Sequence, residues 1–290
     1  MPITKHKIAF TVDVEDWYQG IELPFSSWSN YEHRLAIGLN KLLHLLAKHH
    51  VKGTFFILGW VAENYPSLVK QIVEQGHEIA SHGYSHTKVY ELTPSAFKEE
   101  VSRTKKTLED LTGEEITAYR APFFSITNKS QWALPILAET GYKIDASLTA
   151  VKTWRYGVEN CPSKIFRFKN CGLLEFPIST FSIFSRKWGI GGAYFRLFPY
   201  LFTRSKIKQH LVSNHYAMFY IHPWEYDPQH HKIKLNSKLS TFTHYVKLNK
   251  TYAYTKHLLK NFNCVTMGEI LKDEKLANQH IEMISEADVF

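Results

Sequence analysis

Residues 54–86 of this 290-residue chain read TFFILGWVAENYPSLVKQIVEQGHEIASHGYSH, and this stretch decides the expected fold. Its first five residues are apolar or β-branched, which predicts a strand. A helix is predicted next, because Val69, Ile72 and Val73 share one face, Pro66 stands at the start and Gly76 at the end. A second strand is predicted at 77–81. Two strands joined through a helix by short turns indicate a parallel pair.

The same alternation of strand and helix continues along most of the chain. Strands are predicted at 8–12, 54–58, 77–81, 117–120, 142–145, 216–221 and 264–265, and helices near 35–46, 66–75, 93–112, 128–140, 205–213 and 252–261. About six or seven such repeats favour a closed or nearly closed barrel over an open sheet. No linker rich in Pro, Ser or Gly divides the chain. We therefore predict one α/β domain over residues 1–272, followed by a polar tail at 273–290.

The composition excludes several classes of protein. Apolar residues make up 44% of the chain and aromatic residues 14%, which is too much for a disordered protein. The three cysteines show no C-x-x-C spacing, so we expect reduced thiols. A secretory leader and an uninterrupted run of 18 apolar residues are both missing from the sequence. These features predict a soluble, cytoplasmic protein.

The net charge of +8 is unevenly distributed. Residues 176–268 contain 13 Lys and Arg but only two acids, Glu225 and Asp227. This cationic stretch dominates the region 155–272 that follows the regular repeats. A uniformly basic nucleic-acid coat is excluded, and no nucleic-acid-binding motif is recognised, so we predict no nucleic-acid partner. The stretch suits an anionic or lipid-linked substrate, or an anionic membrane surface.

One segment within this region is typical of membrane-surface sequences. Residues 194–204 interleave aromatic residues with arginines, which predicts peripheral contact with the inner membrane. An ordinary buried loop with flanking charges is an equally valid interpretation of the same segment.

Residues able to do chemistry follow several of the predicted strands. In a parallel barrel such residues meet at the carboxyl ends of the strands. Two imidazoles and a carboxylate make an open metal site, so His82 and His86 are candidate ligands together with an acid after the first strand. Zinc suits this set, and cobalt, nickel or manganese would also fit. Chance is the alternative for the H-x-x-x-H spacing, because the chain contains 16 histidines.

The remaining strand ends supply acids, a cation and a further histidine. The carboxylates at 13, 15 and 16 can serve as metal ligand and as base, or simply form an acidic turn before a helix. Arg120 is placed to hold a carboxylate in its ionised form. His222 follows an apolar strand and is either a general acid or base, or a core histidine.

Together these motifs resemble those of the polysaccharide deacetylase superfamily, the NodB-homology or family-four carbohydrate esterases. The resemblance spans residues 7–270 and is carried by Thr11-Val12-Asp13-Val14-Glu15, Ser81-His82 to His86, Arg120-Ala121-Pro122, Asp145-Ala146-Ser147 and Tyr220-Ile221-His222-Pro223. The residues of these motifs are similar to those of a branch associated with exosortase-type exopolysaccharide loci, and to those of the allantoinase-like and peptidoglycan-deacetylase-like subgroup. The resemblance implies a distorted (β/α)7 TIM-like barrel.

The resemblance also implies a metal-dependent hydrolase of carbon–nitrogen bonds. The implied substrate is an N-acetylated amino sugar of a bacterial exopolysaccharide or its precursor. By position, Asp13 would be the base and His222 would be the proton donor. Arg120 would orient and tune the base, and Asp145 would support His222 or Arg120. The metal ligands would be His82, His86 and Glu15, with Asp16 as the alternative to Glu15. The common family pattern has two adjacent aspartates in its first motif, whereas Val14 follows Asp13 here.

Aromatic residues near the motifs are candidate sugar-binding residues. These are Trp17, Tyr84, Phe123 and Trp224, together with Pro122, and any of them can instead belong to the core. Two other functions remain open. A cyclic imide or ureide hydrolase, as in the allantoinase-like branch, would use the same groups, and a glycan-binding component of polysaccharide assembly would keep the scaffold without turnover.

Overall fold

The computed structural model describes residues 6–153, 155–235, 237–273 and 281–290. The first half of the chain alternates strands and helices. Its elements are β1 (Lys7–Val14), α1 (Leu35–Lys48), β2 (Thr54–Ile57), α2 (Gly59–Asn64), α3 (Pro66–Glu74), β3 (Glu78–Ser81), α4 (Pro94–Thr112), β4 (Ala118–Tyr119), α5 (Ala133–Glu139) and β5 (Ile144–Asp145).

The second half is less regular. Its elements are β6 (Phe166–Phe168), β7 (Leu174–Glu175), β8 (Thr180–Ile183), β9 (Arg186–Gly189), α6 (Gly192–Leu197), α7 (Tyr200–Asn214), β10 (Tyr216–Ile221), α8 (Lys238–Tyr245), α9 (Thr251–Asn261), β11 (Asn263–Val265), α10 (Met267–Leu271), β12 (Glu282–Ile284) and α11 (Glu286–Val289). A short 3-10 turn, Pro223–Tyr226, follows β10.

The sheet is curled and almost entirely parallel. Its strand order is β10-β1-β2-β3-β4-β5-β7-β6-β12, with β11 also paired to β1, and β6–β7 is the one antiparallel pair of this sheet among the described residues. Two hydrogen bonds link β10 to segments next to β6 and β7, which lie toward the other end of the sheet. Met218 N on β10 donates to Ser179 Oγ at 2.8 Å, and Tyr216 Oη on β10 accepts from Ile165 N at 2.6 Å. The fold is therefore a distorted barrel of the expected kind.

Strand register explains why the functional residues meet. Val12 lies opposite Ile221, so the residues that follow, Asp13 and His222, emerge side by side. Ser81 lies opposite Tyr119, which brings the start of the 82–86 segment next to Arg120. Parallel strands thus deliver their carboxyl-terminal residues to one end of the barrel.

Some local signals are confirmed and others differ. Thr93 Oγ1 accepts from Ala96 N at the start of α4, and Gly113 ends the helix with a φ of 72°. Helix α5 covers only the end of the predicted 128–140 helix. The Ser130 hydroxyl donates to Ser125 O and accepts from Thr127 N, so it satisfies a turn instead of allowing an earlier helix.

Two expectations for the second half of the chain are corrected. Helix α7 begins at Tyr200 rather than Ser205, and Phe195 and Arg196 in the preceding helix are buried. Most of the 194–204 segment therefore packs inward, which favours the buried interpretation. At the C-terminus, β12 pairs with β6. The described residues 281–290 thus join the sheet instead of forming the polar tail predicted at 273–290.

Within the described ranges, no helix is both long enough and apolar enough to cross a bilayer.

Candidate active site

Three of the predicted metal ligands lie together. One ligand atom from each of Glu15, His82 and His86 falls within 4.8 Å of the others, and all three side chains are buried. Glu15 follows β1 directly, and His82 follows β3. His86 adopts a φ of 54° in the loop beyond, and its Nε2 lies 2.6 Å from Glu15 Oε2.

Neighbouring groups orient these candidate ligands. Nδ1 of His82 lies 2.9 Å from the Arg120 carbonyl, which leaves Nε2 as its ligand atom. Trp224 Nε1 donates to Glu15 Oε1 at 3.0 Å. The other oxygen, Oε2, is buried and faces His86 Nε2. A buried carboxylate beside two imidazoles fits a divalent cation, and the donor set suits zinc.

The charge balance at this cluster also favours a cation. Burial alone would raise the pKa of Glu15, but His86, His222 and His82 outweigh burial and lower it to about 2. Burial lowers the pKa of His82 to about 4, so this imidazole stays neutral. An ionised carboxylate and a neutral imidazole are the forms that bind metal.

The structure places Asp16 elsewhere. Its Oδ2 accepts from Arg34 N at 2.6 Å and Leu35 N at 2.9 Å, while Oδ1 accepts from Trp17 N at 2.8 Å. Asp16 thus serves the start of α1, and burial raises its pKa to about 6. Between the two carboxylates that the sequence left open, Glu15 is the one beside the histidines.

Asp13 and Arg120 form a buried ion pair, with Arg120 Nη1 donating to Asp13 Oδ1 at 2.6 Å. Arg120 is fully buried, and it also donates to Thr11 Oγ1 and to the Ala146 carbonyl. These bonds hold Asp13 with Oδ2 turned toward His222. A fixed carboxylate of this kind can take a proton from a nearby group.

His222 sits between the acids of the site and a second acid behind it. Its Nε2 lies 3.6 Å from Glu15 Oε1 and 3.9 Å from Asp13 Oδ2, and its side chain is 17% exposed. Nδ1 lies 2.7 Å from Glu225 Oε1. Burial would lower the pKa of His222, but Glu15, Glu225 and Asp13 outweigh burial and raise it to about 9. The ring is therefore held as a proton donor near neutral pH.

Glu225 is anchored by a residue that motif reasoning missed. Arg196 Nε donates to Glu225 Oε2, and the other guanidinium nitrogens donate to the carbonyls of Thr243, His244 and Val246. Both members of the pair are buried. The spacing of His222 and Glu225 across a tight turn could have indicated their contact, whereas nothing local to Arg196 points to this site.

Asp145 ends the expected strand β5, and its contacts are with Ser147 and Glu175. Its Oδ1 accepts from Ser147 Oγ at 2.5 Å, and its carboxyl group also hydrogen-bonds Glu175. Glu175 Oε1 in turn accepts from Leu148 N at 2.9 Å. Among the described contacts, His222 is oriented by Glu225 and not by Asp145. Of the two roles expected for Asp145, support of His222 or of Arg120, the described contacts favour an electrostatic effect on Arg120.

Most of the candidate sugar-binding aromatics turn out to be structural. Trp17 is 1% exposed and donates to the Glu32 carbonyl, while Tyr84 packs under the Arg103 guanidinium and donates to Glu63. Trp224 is 6% exposed and lies between the rings of His222 and His244, where its ring nitrogen holds Glu15.

Phe123 is the predicted aromatic that lies at the site and remains partly exposed. Its ring centroid is 4.4 Å from that of His86, and its backbone has a φ of 55°. The preceding Pro122 is buried. A half-exposed ring beside the candidate metal ligands can contact the apolar face of a sugar.

Comparison with known proteins adds sequence and structural relatives. Residues 35–144 match the sequence profile of the family described as Polysaccharide deacetylase, and residues 146–272 match a domain of unknown function, DUF3473. A Helicobacter pylori peptidoglycan deacetylase is 33% identical over 112 residues, which cover 39% of this chain and 37% of that protein. A Bacillus cereus peptidoglycan-N-acetylglucosamine deacetylase is 32% identical over 133 residues, which cover 46% and 42%. Each alignment thus spans less than half of the relative.

One crystal structure resembles nearly the whole chain. A Mycobacterium smegmatis protein assigned as a polysaccharide deacetylase superposes with a TM-score of 0.67 over 99% of this chain and 96% of its own. The two sequences are 17% identical in this alignment, so the match shows a shared fold.

Proposed function

We propose that this chain, whose residues 35–144 match the polysaccharide deacetylase family, hydrolyses the N-acetyl amide bond of an amino sugar in a bacterial polysaccharide or its precursor. The observation that carries the proposal is a paired arrangement of groups. An arginine-held carboxylate, Asp13, and a glutamate-held imidazole, His222, face each other beside Glu15, His82 and His86.

Each group has a role in amide hydrolysis. Asp13 accepts a proton from the attacking water, whose oxygen forms the new bond to the acetyl carbonyl carbon. His222 donates its Nε2 proton to the departing nitrogen as the carbon–nitrogen bond breaks, which releases acetate and a free amine. Arg120 holds the Asp13 carboxylate in place, and Glu225 keeps His222 protonated and turned toward the site.

Glu15, His82 and His86 would hold a divalent cation, for which zinc is our first choice and cobalt, nickel and manganese are alternatives. When bound, such a cation supplies Lewis acidity, which polarises an amide carbonyl and stabilises developing negative charge. Phe123 would pack against the sugar ring at the rim of the site.

The deciding experiment measures acetate release. The full-length protein is loaded with Zn²⁺ and incubated with N-acetylglucosamine oligomers and with peptidoglycan fragments. We expect acetate from at least one substrate, and none from the Asp13→Asn variant carrying the same amount of zinc. Absence of acetate from every glycan, with zinc bound, refutes the proposal. Hydrolysis of a cyclic ureide instead would assign the same groups to ring opening.

We further propose that the natural substrate is anionic, such as an exopolysaccharide precursor linked to a lipid diphosphate. The support is electrostatic. Both acids of the cationic stretch 176–268 are buried in ion pairs, Glu225 with Arg196 and Asp227 with Arg34, so neither offsets the surface lysines. Turnover of a phosphate-linked glycan should fall as salt rises from about 50 to 300 mM, and salt-independent turnover would refute the charge argument.

A further inference from the structure

The hairpin formed by β8 and β9 ends in an exposed phenylalanine. Ser182 pairs with Lys187 and Ile183 with Arg186, so Phe184 lies in the turn. Its side chain is 99% exposed, and its φ is 52°. A non-glycine residue in the left-handed region costs free energy, as does an apolar ring in water. Neither feature helps this chain to fold.

The base of the hairpin is fixed, in contrast to its tip. Phe181 packs edge-on against Phe198 at 5.8 Å and Phe202 at 6.0 Å between ring centroids. Ile190 N donates to the Ser179 carbonyl where the hairpin joins the domain. The hairpin is therefore anchored to the domain at its base and projects Phe184 into solvent.

A cavity of about 370 Å³ lies beside this hairpin, between β8, β9 and α7. Lys187 of β9 and Lys206 of α7 contribute the charge of its lining, and Ser163, His210 and Asn214 contribute polar groups. Its described lining contains no aspartate or glutamate. Glu159, which lies within electrostatic reach of Lys187, is paired with Lys152. The cavity therefore suits an anionic group.

The distance between the cavity and the tip is set by strand geometry. Phe184 lies two residues beyond Ser182, which lines the cavity, so the two are separated by about 7 Å along the strand. Interfacial helices bury their apolar face about 5–10 Å into the headgroup and acyl boundary of a bilayer. An anionic group in the cavity would pair with its two lysines, and an apolar medium at the tip would bury the exposed Phe184 ring.

We propose that the hairpin Thr180–Gly189 docks on an anionic phospholipid surface, with a lipid headgroup phosphate in the cavity between Lys187 and Lys206 and the Phe184 ring in the acyl boundary. Arg186, which is exposed next to the tip, adds a further attraction to the anionic surface. This places the membrane contact on the hairpin and not on the 194–204 segment. The proposal does not depend on the reaction that the barrel catalyses.

The test uses the full-length protein and vesicles of phosphatidylcholine, with or without about 30% phosphatidylserine. Co-sedimentation should detect binding to the anionic vesicles and much less to the neutral ones. Removing both lysine charges with Lys187→Gln and Lys206→Gln should weaken binding by about 30-fold. Phe184→Ser should weaken it by about tenfold or more.

Matched control variants test whether vesicle binding depends on this hairpin and cavity, and not on the overall charge or apolar surface of the protein. Lys48→Gln with Lys70→Gln removes two exposed charges from other helices, and Leu239→Ser removes an exposed apolar side chain from α8. These variants should bind the anionic vesicles nearly as wild type does. Thermal melting verifies that every variant is folded. Equal binding to both vesicle types, an equal loss in the controls, or no binding at all overturns the proposal.

Discussion

The carboxyl pair formed by Asp145 and Glu175 makes the stability of this protein depend on pH. Burial and the neighbouring Asp145 raise the pKa of Glu175 well above its ordinary value. Burial also raises the pKa of Asp145, to about 6. Glu175 is thus protonated in the folded chain and shares its proton with Asp145, while its other oxygen accepts from Leu148 N. Glutamine has the same shape and donates from the same position, so Glu175→Gln preserves these bonds.

Proton binding determines whether the stability of the protein rises or falls with pH. Above the ordinary pKa of glutamate, the unfolded chain releases the Glu175 proton and the folded chain keeps it. Stability of the wild type therefore falls as pH rises, by about 1.4 kcal/mol for each pH unit over which this difference persists. The variant has no such proton. With an unfolding entropy of about 0.6 kcal/mol per kelvin for a chain of this length, its Tm should exceed that of wild type by about 2 °C more for each pH unit.

Calorimetry or fluorescence melting of both proteins at pH 5, 6 and 7 would measure this gap. Glu282→Gln on β12, where the side chain is exposed, is the control and should follow the wild type. A gap that stays constant between pH 5 and 7 would show that Glu175 is ionised in the folded protein. A strongly destabilised Glu175→Gln variant would show that the pair needs a carboxylate at 175.

Three further predictions concern the candidate metal and proton-transfer groups. Trp224→Phe removes the N–H that holds Glu15, so zinc affinity measured by chelator competition should fall about 10–100-fold. Trp28→Phe deletes a buried ring N–H that has no hydrogen-bond partner among the described residues, so it should leave zinc affinity unchanged. Glu225→Gln should lower kcat by about 100-fold with zinc content and KM nearly unchanged, and a twofold change would rule out its role in holding His222. Asp16→Ala should cost about 1–3 kcal/mol of stability but keep zinc, while Glu15→Ala should lose zinc, as melting and metal analysis can show.

The site residues that could be predicted from the sequence are those at the carboxyl ends of parallel strands. Glu15, His82 and Arg120 each follow a parallel strand, and register alone brings such residues to one end of the barrel. The helix boundaries at Thr93 and Gly113 were predictable for a similar reason, because capping depends on a few adjacent residues.

The contacts that sequence reasoning missed are those made between distant segments. Arg196 reaches Glu225 across 29 positions and has no motif of its own. Asp145 ends the expected strand, yet its partner Glu175 comes from a later strand in an irregular region. The sequence also could not separate aromatic residues of the core from those of the site. Trp17 and Phe123 both lie near motifs, and only their packing shows that Trp17 is buried while Phe123 lies beside His86.

The buried ion pairs of Glu225 and Asp227 leave the surface of residues 176–268 without an exposed carboxylate of its own. An anionic partner that approaches this surface meets lysines and arginines with no local negative charge to repel it. This side of the molecule should therefore behave like an anion-exchange surface, which binds anionic partners and releases them as salt rises.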